Sequence, residues 1–111
     1  MHFIEVDGKQ IEVDKEGYLI NRHDWSEAVC RYMAQADHCP LTETHWKIIH
    51  FLRQYYEDYE HSPAMRVFIK ALQNVIGPDQ ANSQNLYALF PYGPAKQATR
   101  YAGLPKPAHC I

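Results

Sequence analysis

The chain has 111 residues, 46% of them hydrophobic and 13% aromatic, with a formal net charge of -2 and a pI near 6.4. That length suits one domain with its own core, the apolar content excludes a disordered chain, and the acidic balance excludes a bulk field for nucleic acid. No apolar run has the length of a membrane span, and "MHFIEVDGKQ" lacks the basic start and apolar stretch of a signal peptide.

In chain order, "FIEVDGKQIEV" predicts a β-hairpin. Ile4, Val6, Ile11 and Val13 alternate with polar residues, and Asp7-Gly8 supplies a tight turn. A short third strand is expected at Tyr18 to Ile20. Asp24 is expected to open the first helix, with Glu27 at the capping-box position and Val29, Tyr32, Met33 and Ala36 as its buried stripe. "DHCP" stops it. Thr42 caps a second helix, whose apolar face is Ile48, Ile49, Leu52, Tyr55, Tyr56 and Tyr59; this is the expected central helix. Ser62-Pro63 starts a third, running through Phe68, Ile69, Leu72, Val75 and Ile76 to Gly77-Pro78. The short connection gives helices two and three a helix-turn-helix character. "NSQNLYALF" is a fourth helix, capped at Asn82 or Ser83, and Pro94 opens a fifth, "PAKQATRYA", ended by Gly103. The predicted fold is α+β: a small N-terminal antiparallel sheet (1–20) against about five helices (24–102), with a C-terminal arm (104–111).

"LPKPAHCI" closes the chain. Pro105 and Pro107 deny it a helix and favour an extended arm with a reach of roughly 25 Å. Two apolar anchors, Leu104 and Ile111, do not offset the entropy of ordering eight residues, so an arm loose for part of the time is expected. Three cysteines, Cys30, Cys39 and Cys110, are too few and too odd for a disulfide framework, which suits a reducing cytoplasmic setting. A thiol at Cys110 could visit other proteins. His109 and Lys106, and Lys96 and Arg100 if the arm folds back over the fifth helix, would favour its anionic form. A covalent sulfur shuttle on Cys110 is one reading; an incidental terminal cysteine is the other.

Other constellations carry less. Cys30 sits beside the first helix's stripe and reads as an inert packing residue, whereas Cys39, in the loop before Pro40, is expected to be exposed. His38, Cys39, His45 and His50 lack metal-ligand spacing, so no metal is expected. Glu57, Asp58 and Glu60 read as a solvated face. "LFPYGP" is a candidate lining for the groove that receives the arm. A DNA-binding regulator is the rival from another class, but the would-be recognition helix brings only Arg66 and Lys70 as cations.

"GPAKQATRYAGLPKPAHCI" closely resembles the C-terminal signature of the DsrC/TusE family of sulfur-relay proteins. "GYL", the tryptophan opening the first helix, "HW", "SPAMR" and "LFPYGPAKQA" extend the resemblance over almost the whole chain. The resemblance implies a small cytoplasmic protein whose working residue is the penultimate cysteine on a mobile arm, here Cys110. DsrC proper carries a second cysteine at the position of Thr99 and serves dissimilatory sulfite reductase. The single-cysteine pattern is similar to TusE. That similarity implies protein partners, a TusBCD-like donor and an MnmA-like tRNA thiouridylase, with tRNA engaged only indirectly. No small-molecule cofactor and no membrane contact are implied. A role beside sulfite reductase or in sulfur oxidation is the alternative.

Overall fold

A computed structural model describes residues 2–107. β1 (His2–Val6) pairs antiparallel with β2 (Lys9–Val13), with Ile4 opposite Ile11. Asp7 and Gly8 both take positive φ, 52° and 80°, the geometry of a two-residue turn whose twist matches the strands. The third strand reduces to a single bridge between Leu19 and Val13. Asp14 explains this: its carboxylate accepts from the N–H groups of Glu16 and Tyr18, and its own N–H donates to the Tyr18 carbonyl at 2.8 Å. The intervening residues are spent on that turn.

Asp24 does not open a helix. Arg22–Asp24 is one 3-10 turn capped by Asn21, and α1 (Glu27–Ala36) begins after Ser26, whose hydroxyl accepts from the Val29 N–H. A hydroxyl immediately ahead of the apolar run outcompetes the carboxylate two residues earlier. The stripe of α1 is Val29, Cys30, Met33 and Ala34; Tyr32 and Ala36 face outward, one helical step off the expected face.

α2 (Glu43–Tyr59) is capped by Thr42 as expected and buries His45, Ile48, Ile49 and Leu52. α3 (Met65–Leu72) starts after Ala64 with no side-chain cap, so Ser62-Pro63 belongs to the connection; Ala64 is still extended, at ψ 156°. It also ends at Leu72, and Val75 and Ile76 reach the core from the turns that follow. α4 (Ser83–Leu89) is capped by Asn82, whose side chain accepts from the Asn85 N–H at 2.8 Å. α5 (Pro94–Tyr101) packs against α1, α2 and α4. The helix at the centre is therefore α5 and not α2. The architecture is α+β, a two-stranded antiparallel sheet with five helices. Among the described residues no helix is long and apolar enough to cross a membrane.

Candidate functional site

The described chain that leads toward Cys110 starts where α5 ends. Gly103 takes φ +71°, its N–H donates to the Arg100 carbonyl at 3.0 Å, and the Leu104 N–H donates to the Thr99 carbonyl at 3.2 Å. These two bonds make a Schellman termination, with Gly103 at its left-handed position. The two carbonyls they leave over are taken from outside the helix. Trp25 donates from Nε1 to the Tyr101 carbonyl at 2.7 Å, and Arg53 donates from Nη1 to the Ala102 carbonyl at 2.7 Å. The Arg53 guanidinium also lies 4.1 Å from the Trp25 ring centre, so the two donors brace each other. A Cβ on Gly103 would stand 2.4 Å from Trp25 Cδ1. Only glycine fits, for reasons of both φ and space.

Leu104 is 2% exposed, and Pro107 is buried. Lys106 pairs with Glu16 at 3.0 Å. Within the range 104–111 read as an arm, residues 104–107 are thus in contact with the body. His109 and Cys110 lie outside the described residues. Pro105–Pro107 line a cleft of about 420 Å³ together with Glu60–Ala64, the connection between α2 and α3. The "LFPYGP" loop contributes Tyr92 to a smaller cleft with Glu16, Tyr18, Lys96 and Arg100.

Of the four supporting residues inferred from sequence, three lie within the described residues: Lys96 and Arg100 line one cleft with Glu16, the partner of Lys106. Lys96 is exposed and has no ion pair among the described residues. Arg100 is bonded to Asp37, the C-cap of α1. Asp37 also accepts from the Tyr101 hydroxyl at 2.8 Å; that hydroxyl accepts from Gln97 Nε2 at 2.9 Å, and Gln97 Oε1 accepts from the Tyr92 N–H at 2.8 Å. Burial, assisted by the charge of Asp37, keeps the Tyr101 hydroxyl protonated. This chain of bonds joins α1, α5 and the loop ahead of α5.

The two other cysteines are inside. Cys30 is 0% exposed, and burial pushes its thiol up to about 12. Cys39, expected at the surface, is buried too, and burial raises its pKa. Its Sγ donates to the Leu89 carbonyl at 3.6 Å. His45 Nε2 meets the same carbonyl at 2.7 Å, and its Nδ1 is 3.0 Å from the Thr42 N–H. A backbone N–H can only donate and a carbonyl only accept, so His45 is the neutral tautomer with its proton on Nε2. Both nitrogens are thereby occupied: Cys39 and His45 terminate α4. Among the described residues no group of three or more His, Cys, Asp and Glu side chains is placed to hold a metal ion. Thr99 is 2% exposed.

Sequence reasoning did not find Trp25, Arg53, Glu16 or Asp37. Trp25 and Arg53 act on carbonyls 76 and 49 positions away, and no local pattern encodes such a pair. Gly103 was visible as a helix end, but not as a contact surface for an indole.

The sequence profile described as "DsrC like protein" matches residues 5–111. The chain is 47% identical over 111 residues to the sulfurtransferase TusE of Photorhabdus laumondii subsp. laumondii, covering all of both proteins. With the sulfurtransferase TusE of Escherichia coli (strain K12) it shares 47% identity over 105 residues, 95% of this chain and 96% of that one. The fold is similar to the NMR structure of Allochromatium vinosum DsrC, with a TM-score of 0.90 and 58% identity over 98% of this chain and 97% of that one. It is also similar to the oxidized γ-subunit of the dissimilatory sulfite reductase (DsrC) from Archaeoglobus fulgidus, with a TM-score of 0.89 and 41% identity over 99% and 100% of the two chains.

Proposed function

The chain belongs to the DsrC-like family, and from that premise we propose that it is a cytoplasmic sulfur carrier, accepting persulfide sulfur on Cys110 and relaying it between proteins toward tRNA wobble 2-thiouridine. The observation that carries this reading is that the family match runs to residue 111, across the cysteine-bearing end. End-to-end identity with two sulfurtransferases TusE supports it. So does the state of the other thiols: Cys30 and Cys39 are buried and protonated at neutral pH, which leaves Cys110 as the remaining candidate nucleophile. Thr99 has no sulfur with which to close an internal disulfide.

The chemistry needs no cofactor. The Cys110 thiolate attacks the outer sulfur of a donor persulfide; one S–S bond forms, one breaks, and the donor cysteine leaves as thiolate. An acceptor thiolate then repeats the exchange on the Cys110 persulfide. The sulfane sulfur keeps its oxidation state throughout, so no external oxidant or reductant enters. A TusBCD-like complex is the proposed donor and an MnmA-like thiouridylase the proposed acceptor. Lys106, His109 and Lys96 are the cations proposed to favour the anionic persulfide; Arg100 serves through Asp37, by holding α5 in place.

Loading the full chain from a persulfide donor and mapping the added sulfur by peptide mass spectrometry tests the assignment. The label is expected on Cys110, and Cys110→Ser is expected to abolish transfer while leaving the fold intact. Label on Cys30 or Cys39 alone would defeat it. A variant that kept a salt-dependent DNA footprint, with no transfer by the wild type, would favour a regulator instead. The 58% identity to A. vinosum DsrC favours a second reading, a partner in dissimilatory sulfur metabolism. Loaded protein that fails to pass sulfur to the thiouridylase but passes it to a sulfite-reductase-type acceptor would select that reading.

A further inference from the structure

We infer that Trp25 and Arg53 are positioning residues for sulfur transfer: by holding the Tyr101 and Ala102 carbonyls they fix the end of α5, from which the chain runs on toward Cys110. The inference rests on the carrier reading above. Its own ground is the way one buried helix end is closed. The Schellman bonds of Gly103 and Leu104 satisfy the Thr99 and Arg100 carbonyls, and burial of Tyr101 and Ala102 leaves their carbonyls dependent on donors from elsewhere in the body. Here none of the carbonyls from Thr99 to Ala102 depends on water. Thr99 and Arg100 are satisfied by the turn, Tyr101 by an indole, and Ala102 by a guanidinium.

The two outside donors come from different elements, Trp25 ahead of α1 and Arg53 on α2, so the helix end is tied to two independent parts of the body. Arg53 meets this carbonyl with part of its hydration removed, since burial lowers its pKa against the pull of Glu57. Leu104, buried just beyond, closes the grip. Cys110 stands three residues after Pro107, so covalent geometry alone keeps it within about 11 Å of that residue. Leu104, the Lys106–Glu16 pair and Pro107 continue the path from the α5 end along the body, so a shift of that helix end is passed to the start of this tether. Displacements near 1 Å at a reacting atom can cost up to about 100-fold in rate.

Single-turnover transfer from persulfide-loaded full-length protein to the thiouridylase, run across acceptor concentrations, separates positioning from docking. The transfer joins the acceptor sulfur to the outer sulfur of Cys110 and releases Cys110 as thiolate, as above. Arg53→Met and Trp25→Phe keep an apolar or aromatic body and remove the donor. Each is expected to lower the maximal transfer rate about tenfold, to leave the half-saturating acceptor concentration unchanged, and to leave the rate of sulfur removal by free cyanide unchanged. Arg53→Lys, which retains one donor, is expected to recover most of the loss. A maximal rate within twofold of wild type in a folded Arg53→Met or Trp25→Phe protein would overturn the inference. So would a parallel loss toward cyanide, or a change confined to half-saturation. A wild-type chain that takes no sulfur on Cys110 would instead remove the carrier reading, and this inference with it.

Discussion

α2 spans 17 residues, runs a stripe of aliphatic and tyrosine side chains along one face, and still leaves Tyr59 60% exposed. α5 spans 8 residues, reads PAKQATRY, and buries Pro94, Ala95, Gln97, Ala98, Thr99 and Tyr101. The apolar helix lies at the side and the polar-looking one in the middle. What separates them is side-chain size and internal satisfaction. Ala95, Ala98 and Ala102 let neighbouring helices approach closely, while Gln97 and Tyr101 bond each other, Tyr92 and Asp37. A buried polar group that is fully bonded costs little, so α5 can be central without being hydrophobic. The helix whose end leads to the proposed carrier cysteine is also the one that packs against α1, α2 and α4.

The largest effect that would sharpen this contrast is at Ala98, 0% exposed in the centre of α5. Composition alone suggests that enlarging a small residue in a polar helix is harmless. The packing predicts the reverse: Ala98→Leu inserts a branched side chain where helices meet, at a cost of about 2–3 kcal/mol. Urea denaturation should show a lower midpoint at unchanged slope. A loss below about 0.5 kcal/mol would mean that α5 has room around it, and the contrast with α2 would fail.

The contrast also explains what could be read beforehand. The hairpin, its Asp7-Gly8 turn, the Thr42 and Asn82 caps and the Pro94–Gly103 limits of α5 were legible, because each depends on residues within a few positions. The start of α1 was misjudged because Asp24 and Ser26 both have cap-forming side chains, and it is Ser26, next to the apolar run, that caps the helix while Asp24 ends a 3-10 turn. Cys39 looked exposed because a loop before proline usually is. What buries it is the end of α4, fifty positions on, at Leu89. The place of Cys110 in the chain left a sulfur shuttle and an incidental cysteine both open, and it was the family resemblance that favoured the first. The grip on the α5 end was not legible, since Trp25 and Arg53 gain their meaning only when α5 is laid between them.

A smaller effect concerns the first turn of α2. His45 is 4% exposed and neutral, and burial lowers its pKa from the ordinary 6.5. Protonation would place a second hydrogen on Nδ1, against the Thr42 N–H. Between the folded and unfolded pKa values the unfolded chain binds more protons, so stability rises with pH across that window. The contribution is fully present above about 6.5 and is lost as pH falls through the folded value. His45→Gln should flatten this part of the stability–pH curve relative to wild type. An unchanged slope would mean that His45 titrates normally and that the cap of α4 is open to water.

The smallest effect belongs to the far end of the same helix. Tyr59 packs against Tyr55 with ring centres 4.5 Å apart and planes tilted by 44°, yet most of its surface meets solvent. Tyr59→Ala removes that ring pair, worth about 0.5–1.5 kcal/mol where it is buried and less here, and gains about 0.5 kcal/mol of helix propensity. The two terms nearly cancel, so the net change should stay within about 0.5 kcal/mol. Deleting an aromatic from the stripe of α2 is thus expected to matter less than adding three carbons to the polar-looking α5. If Tyr59→Ala instead costs more than Ala98→Leu, the core is centred on α2 after all, and the fixed root at the end of α5 loses its structural basis.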